Sequence, residues 1–267
     1  MIGGIIGDFI GSEFEHTSLK MYNLDQLTSA KSTITDESVM LAATADALIN
    51  DKDFASCYMN WGHHFHWVEY GPSTEFWLEH KDLNYIHESY TNGAASRAGL
   101  IGMLDCPLHQ LMEFAKESAR CTHNHIEGIS ATKAVVYTVW ACRQGKSKQE
   151  IYEYLMSEFG YLMFYDFEQL KNTLTFDTQA ESTIPPAIFL ALESKSWIDC
   201  IRLCLYCAGA ADTDTIMSIA GLIAQQRFPV CEKYEKETKH WLFKNAQPIL
   251  QMIQEFEANR LFCKLPF

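Results

Sequence analysis

The sequence predicts an all-α protein of ten or more helices with short connections. Three observations carry the prediction. Apolar residues recur at helical spacing in one segment after another. No alternating apolar–polar run is long enough to make a strand, and β-branched stretches such as "STIT" (32–35) are too brief. Glycine and alanine sit inside the apolar segments, a composition that costs helix propensity and is tolerable where helices cross closely. With 267 residues, 48% hydrophobic and 21% charged, the chain can bury a sizeable core. Nothing in it reads as a linker, so residues 1–267 are expected to form one domain.

The elements follow in order. "MIGGIIGDFIGSEFE" is apolar, with Gly3, Gly4, Gly7 and Gly11 at regular intervals. It has no basic start and Asp8 interrupts it, so it reads neither as a signal peptide nor as a membrane span. "TDESVMLAATADALIN" (35–50) sets Val39, Ala42, Ala43 and Asp46 along one stripe. "CPLHQLMEFAKESARC" (106–121) has Pro107 near a first turn and places Leu108, Leu111, Met112 and Ala115 on one face. "EGISATKAVVYTVWAC" (127–142) is almost wholly apolar and reads as a central helix. "PPAIFLALES" (185–194), "WIDCIRLCLYCAG" (197–209) and "TIMSIAGLIAQQ" (215–226) continue in the same style. The last pattern, 240–262, is interrupted near Pro248.

The net charge of −13 argues against nucleic acid or an anionic membrane as a partner, while leaving room for a small phosphorylated ligand held by local donors. Nine cysteines are scattered; Cys204 and Cys207 are spaced like a ligand pair, but no second pair completes a zinc site. Buried thiols in a reducing compartment, such as the cytoplasm, are the expectation.

Three acidic groupings stand out. In "GDFIGSEFE", Asp8, Ser12 and Glu15 share a face if the segment is helical. Thr35, Asp36, Glu37 and Ser38 open one apolar helix, and Asp212, Thr213, Asp214 and Thr215 open another. Each start alone reads as a helix cap in a favourable dipole. If the two starts meet, four carboxylates repel, and a cation or strongly raised pKa values must relieve them. Carboxylate and hydroxyl ligands select a hard cation such as Mg²⁺, Mn²⁺ or Ca²⁺, and several carboxylates with one able to bridge suit a two-metal site.

Other groupings are weaker. "SYTNGAASR" carries an Asn92-Gly93 turn before small helical residues, a loop able to offer N–H groups to an anion. In "CTHNHIEG", Thr122, His123 and His125 precede the buried helix, where a histidine is ordinarily a cap or a packed ring. His63, His64 and His66 lack the downstream pattern of a zinc site and read as a helix end over an aromatic layer.

Taken in order, "GDFIGSEFE", "TDES", "EYGPSTEFWL", "YTNGAASR", "TH" at 122–123 and "DTDTIMSIAGLIA" resemble the ADP-ribosylglycohydrolase family over residues 3 to about 226. That family includes the dinitrogenase reductase-activating glycohydrolases and the eukaryotic ADP-ribosylhydrolases. The resemblance implies an all-α fold with two Mg²⁺ or Mn²⁺ ions. It implies Thr35, Asp36, Glu37, Asp212, Asp214 and Thr215 as the metal ligands, with Asp214 bridging. It implies that Glu15 lies near the metals and gates the site, that Ser89, Tyr90, Asn92 and Gly93 form the loop holding ADP-ribose, and that His123 contacts the ligand. The implied reaction is hydrolysis at the anomeric carbon of the distal ribose, freeing ADP-ribose from an ADP-ribosylated protein, with Glu15, Asp36 or Glu37 as acid or base.

The chain departs from the family pattern at four places. Glu37 stands where Asp is usual, Ala210-Ala211 where a glycine pair is frequent, Glu88 where some members carry glycine, and Ser96-Arg97 where Met-Arg is usual. Two rival readings therefore stand beside the hydrolase of ADP-ribosylated proteins: a catalytically impaired ADP-ribose-binding or structural member of the same fold, and a hydrolase of another small glycoside or nucleotide. The chain is expected to act as a monomer.

Overall fold

The computed structural model describes residues 1–15, 26–83, 87–209 and 211–259. Among these it contains fourteen α-helices and no named strand: α1 (Ile2–Gly11), α2 (Asp36–Ile49), α3 (Phe54–His64), α4 (Pro72–His80), α5 (Gly93–Ala98), α6 (Leu108–Arg120), α7 (Ile126–Arg143), α8 (Lys148–Phe159), α9 (Phe167–Thr173), α10 (Ala180–Glu193), α11 (Trp197–Ala208), α12 (Thr213–Ala224), α13 (Glu232–Asn245) and α14 (Gln247–Ala258). A 3₁₀ turn, Gly99–Met103, extends α5. The predicted fold class holds.

The centre is α1 against α12. Every residue of both helices is buried, so neither has a solvent-exposed face, and they lie antiparallel in near backbone contact. A Cβ at Gly3 would stand 2.7 Å from the Gly221 carbonyl oxygen, at Gly7 2.1 Å from that of Met217, and at Gly11 2.5 Å from the Asp214 Cα. A side chain at any of the three would have to displace backbone, so the spacing of the glycines sets how closely the helices approach. The indole of Trp197 donates to the Gly221 carbonyl at 3.0 Å and fixes α11 to the same crossing. α2, α5, α7 and α10 surround the pair, and one core draws buried residues from α1 through α14.

Two proline positions show how local chemistry sets the helix ends. Pro248 falls in the first turn of α14, where its missing N–H costs nothing; the break between α13 and α14 at Ala246 follows. Residues Arg260–Phe262 of that pattern lie outside the described residues. Pro185 and Pro186 behave differently from expectation: α10 begins at Ala180 and both prolines sit inside it. The carbonyls they leave unpaired belong to Glu181 and Ser182, at the exposed start of the helix, where solvent replaces the lost bonds. The histidine run behaves as read: α3 ends at His64, and Phe65 packs on Trp61, His64 and Trp67.

Candidate metal centre and ligand cleft

The glycine spacing brings the end of α1 onto the start of α12. Gly11 rests on Asp214, so Asp8, one turn earlier, and Glu15, one turn later, both face that carboxylate. The helix ends at Gly11, but Ser12 keeps helical dihedrals and Glu15 N bonds to the Gly11 carbonyl at 3.2 Å, which preserves the shared face. α2 meets the pair through Asp8. Its carboxylate accepts from Thr35 N at 3.1 Å, Thr35 Oγ1 at 2.7 Å, Ser38 N at 3.2 Å and the Ser38 hydroxyl.

The two helix starts use their acids differently. Thr35 is a working N-cap whose Oγ1 accepts from Glu37 N at 3.3 Å. Asp212 occupies the N-cap position of α12 but makes no side-chain cap bond. Its carboxylate instead accepts from Asn92 Nδ2 at 2.7 Å. Thr213 secures the turn by bonding the carbonyls of Ala208 and Ala211. Simple capping therefore does not account for Asp212 or Asp214. Ala210, beside this turn, lies outside the described residues.

These acids border a cleft of about 790 Å³. Its lining includes Glu15, Thr35, Asp36, Glu37, Glu69, Asp212, Asp214 and Thr215, and among the described residues no lysine or arginine. Single carboxylate oxygens of Glu15, Asp212 and Asp214 lie within 4.8 Å of one another. Burial, followed by the charge of Asp214, holds Asp36 and Asp212 well above the usual carboxylate range. Burial and then Asp36 do the same to Glu37. Glu15 is pushed up to about 8 and Asp8 to about 7, each by burial first and Asp214 second. Asp214 Oδ1 is buried without a hydrogen-bond partner. An orphaned carboxylate oxygen amid repelling acids, with hydroxyls alongside, fits a hard divalent cation.

The opposite wall comes from the segment before α5. Asn92 N bonds the Thr178 carbonyl at 2.9 Å, and its Nδ2 reaches Thr183 Oγ1 at 3.2 Å as well as Asp212. Gly93 faces the His123 ring, whose Nε2 would lie 3.4 Å from a Cβ there. His123 is buried, with Thr91 Oγ1 at 2.9 Å from Nε2 and Thr122 Oγ1 at 2.8 Å from Nδ1. Burial, then the charge of Arg97, holds it well below the usual histidine range, so it is a neutral ring. Arg97 is itself buried, bonded to Ser118 O and Thr122 Oγ1 and stacked on Tyr58.

Asn92, Gly93 and His123 thus share the cleft with the acids, but Ser89 and Tyr90 do not border it. Ser89 Oγ bonds Thr91 Oγ1, and Tyr90 is half exposed against His125. Glu88, whose charge next to a diphosphate would repel, also lies off the lining and accepts from Asn124 Nδ2 at 3.0 Å. Thr33, Trp67, Tyr70, Ser73, Thr74, Phe176 and Thr178 complete the cleft without having been foreseen as site residues. The motif "EYGPSTEFWL" contained three of them. Phe176 and Thr178 lie in a connecting segment with no periodicity to flag them.

The sequence profile of the ADP-ribosylglycohydrolase family matches residues 1–224. Among solved structures, a chain described as an "ADP-ribosylglycohydrolase-related protein complex" superposes with a TM-score of 0.68 at 15% identity, covering 94% of this chain and 95% of that one. At that identity the likeness speaks for the fold. No curated protein matches the sequence significantly.

Proposed function

The chain belongs to the ADP-ribosylglycohydrolase family, and from that premise we propose that it is a metal-dependent hydrolase releasing ADP-ribose from modified protein side chains. Family membership by itself supports a glycohydrolase acting on ADP-ribose-like substrates. The observation that carries the finer reading is the orphaned Asp214 Oδ1 in an acidic cleft that no lysine or arginine lines among the described residues.

Asp36, Asp212, Asp214 and Glu15 would hold the ions, with Thr35 and Thr215 adding hydroxyl oxygens. Two Mg²⁺ or Mn²⁺ ions supply Lewis acidity toward the vicinal hydroxyls of the distal ribose and toward water. The remaining work falls to the chain. Asn92 fixes the Asp212 carboxylate and so its direction into the cleft. The segment at Thr91–Gly93 and the neutral ring of His123 form the wall for the ligand, where an uncharged donor set orients without competing for the acids. Glu15 and Asp36 border the cleft and can exchange a proton with the leaving group or the attacking water as positive charge develops at the anomeric carbon. Trp67 and Phe176, both about half exposed, offer apolar surface along the cleft for a ligand to pack on. Glu88, bonded away to Asn124, leaves room for a diphosphate.

The reading takes residues 1–267 as one monomeric domain, supported by a core that runs from α1 to α14. Among the described residues no helix is long and apolar enough to cross a membrane.

The test is release of free ADP-ribose from arginine-, serine- and poly-ADP-ribosylated substrates with Mg²⁺, with Mn²⁺ and with chelator. Metal-dependent release that Asp214→Ala abolishes is expected. A folded protein that binds ADP-ribose but releases none from any of the substrates would instead make it a binding member of the family.

A further inference from the structure

We infer that Glu37 is a positioning residue for Thr215 and not itself a ligand of the ions, an assignment that rests on the metal-centre reading above. Glu37 is the second residue of α2 and Thr215 the third of α12, and the two side chains meet across the helix starts. Thr215 Oγ1 donates to Glu37 Oε1 at 2.6 Å, while the nearby Ser96 hydroxyl of α5 gives its proton to the Gly93 carbonyl at 3.1 Å. Glu37 is only 6% exposed. Single carboxylate oxygens of Glu15, Asp212 and Asp214 lie within 4.8 Å of one another, a set that includes neither Asp36 nor Glu37, and of these two only Glu37 receives the Thr215 hydroxyl.

The other helix start repeats the arrangement. Thr35 Oγ1 donates to Asp8 Oδ1 at 2.7 Å, and Asp8 is wholly buried behind the cleft wall. Thr35 and Thr215, the two hydroxyls at the helix starts, therefore each commit their single proton to a carboxylate from a different helix. A hydroxyl whose proton is fixed has its lone pairs fixed as well, on the side away from the acceptor. A carboxylate acceptor also makes the oxygen a better donor to a cation, the usual role of a supporting group behind a ligand. Length explains why this position carries glutamate. An aspartate here ends one carbon–carbon bond, about 1.5 Å, earlier and falls out of hydrogen-bond range of Thr215.

The experiment is a double-mutant cycle on Mn²⁺ binding, read by calorimetry and by the electron paramagnetic resonance signal of free Mn²⁺, with no substrate present. Glu37→Asp keeps the charge and withdraws the contact. It is expected to weaken Mn²⁺ binding by about 10–100-fold in the parent protein and by less than about twofold in the Thr215→Val background. In Thr215→Ser, which keeps the hydroxyl, the full loss returns. Equal losses with and without the Thr215 hydroxyl would make Glu37 a ligand in its own right. No loss in either background would leave it only a distant charge. Both results overturn the inference while leaving the metal centre standing, whereas a parent protein that binds no Mn²⁺ at millimolar concentration overturns both. Metal-free melting curves verify folding. If Glu37→Asp does not fold, Glu37→Gln, which keeps length and an acceptor oxygen, should bind Mn²⁺ more tightly than Glu37→Ala only when Thr215 is present; the same gap without Thr215 refutes the inference.

Discussion

Adding one methyl group at Gly7 tests whether the α1–α12 approach sets the acidic centre. The new Cβ would lie 2.1 Å from the Met217 carbonyl oxygen, where ordinary contact begins at 3.4 Å. The obstacle is backbone at the middle of a buried helix, so no side-chain rotation relieves it. The helices must separate by about 1.3 Å, the difference between those two distances. Overpacking of this kind costs about 1–3 kcal/mol. Replacing glycine by alanine in a helix returns up to about 1 kcal/mol, leaving a net loss of about 1–2 kcal/mol. For a domain of this size that lowers the melting temperature by roughly 2–8 °C. The effect on the site should be larger. A displacement of about 1 Å carries Asp214 away from Asp8 and Glu15, and misplacement on that scale costs on the order of a hundredfold in rate. Calorimetric melting of the metal-free protein and metal-dependent ADP-ribose release measure the two effects separately. A Gly7→Ala protein with an unchanged melting temperature and unchanged release would refute the reasoning, because the crossing would then be slack.

Three further outcomes follow from the same site. Metal-free stability should fall as pH rises from about 4 to 8. Asp8 and Glu15 keep their protons up to about 7 and 8 in the folded chain, whereas the unfolded carboxylates lose theirs near 4. The stabilisation is present below the unfolded value and lost as pH passes the folded one, and for Asp8 alone it amounts to at most about 4 kcal/mol. A melting temperature in chelator that stays flat or rises from pH 5 to 8 would contradict this. Asp214→Asn removes the charge at the centre of the repulsion, so the metal-free protein should melt higher while the stabilisation by Mn²⁺ disappears; a retained Mn²⁺ shift would remove Asp214 from the ligand set. Asn92→Ala leaves the buried Asp212 carboxylate without its donor, a loss of about 1–3 kcal/mol, readable as a lower denaturation midpoint in urea; a midpoint equal to the parent's would show that Asp212 finds another partner.

Much of this was legible in the sequence, because local signals fix local structure. Helical periodicity marks the buried faces, and two Thr/Asp-rich starts before apolar runs mark where acids enter a core. The four- and three-residue steps from Asp8 to Glu15 were enough to place both beside one partner. What the sequence hid depends on contacts between distant segments. Asp8 draws its donors from Thr35 and Ser38, and Asp212 draws its from Asn92, pairings that no window along the chain contains. Glu37 stands out in the sequence as a departure from the family pattern, whereas its bond to Thr215 joins two helices far apart in the chain and could not be read there. The helical pattern at 185–194 marks only the apolar part of α10; its start at Ala180 lies in a polar stretch without that pattern.

The glycine-lined crossing also constrains the order in which the molecule can be made. α1 is buried along its whole length, mostly against α12, and the two are separated by about two hundred residues of chain. At a synthesis rate of about 5–20 residues per second, α1 waits roughly 10–40 s for its partner to emerge. During that time a glycine-rich helix has only α2 of its native neighbours to lie on, through the bonds from Thr35 and Ser38 to Asp8. The acids at its end also stay apart until the wait is over, so the centre is among the last features to assemble.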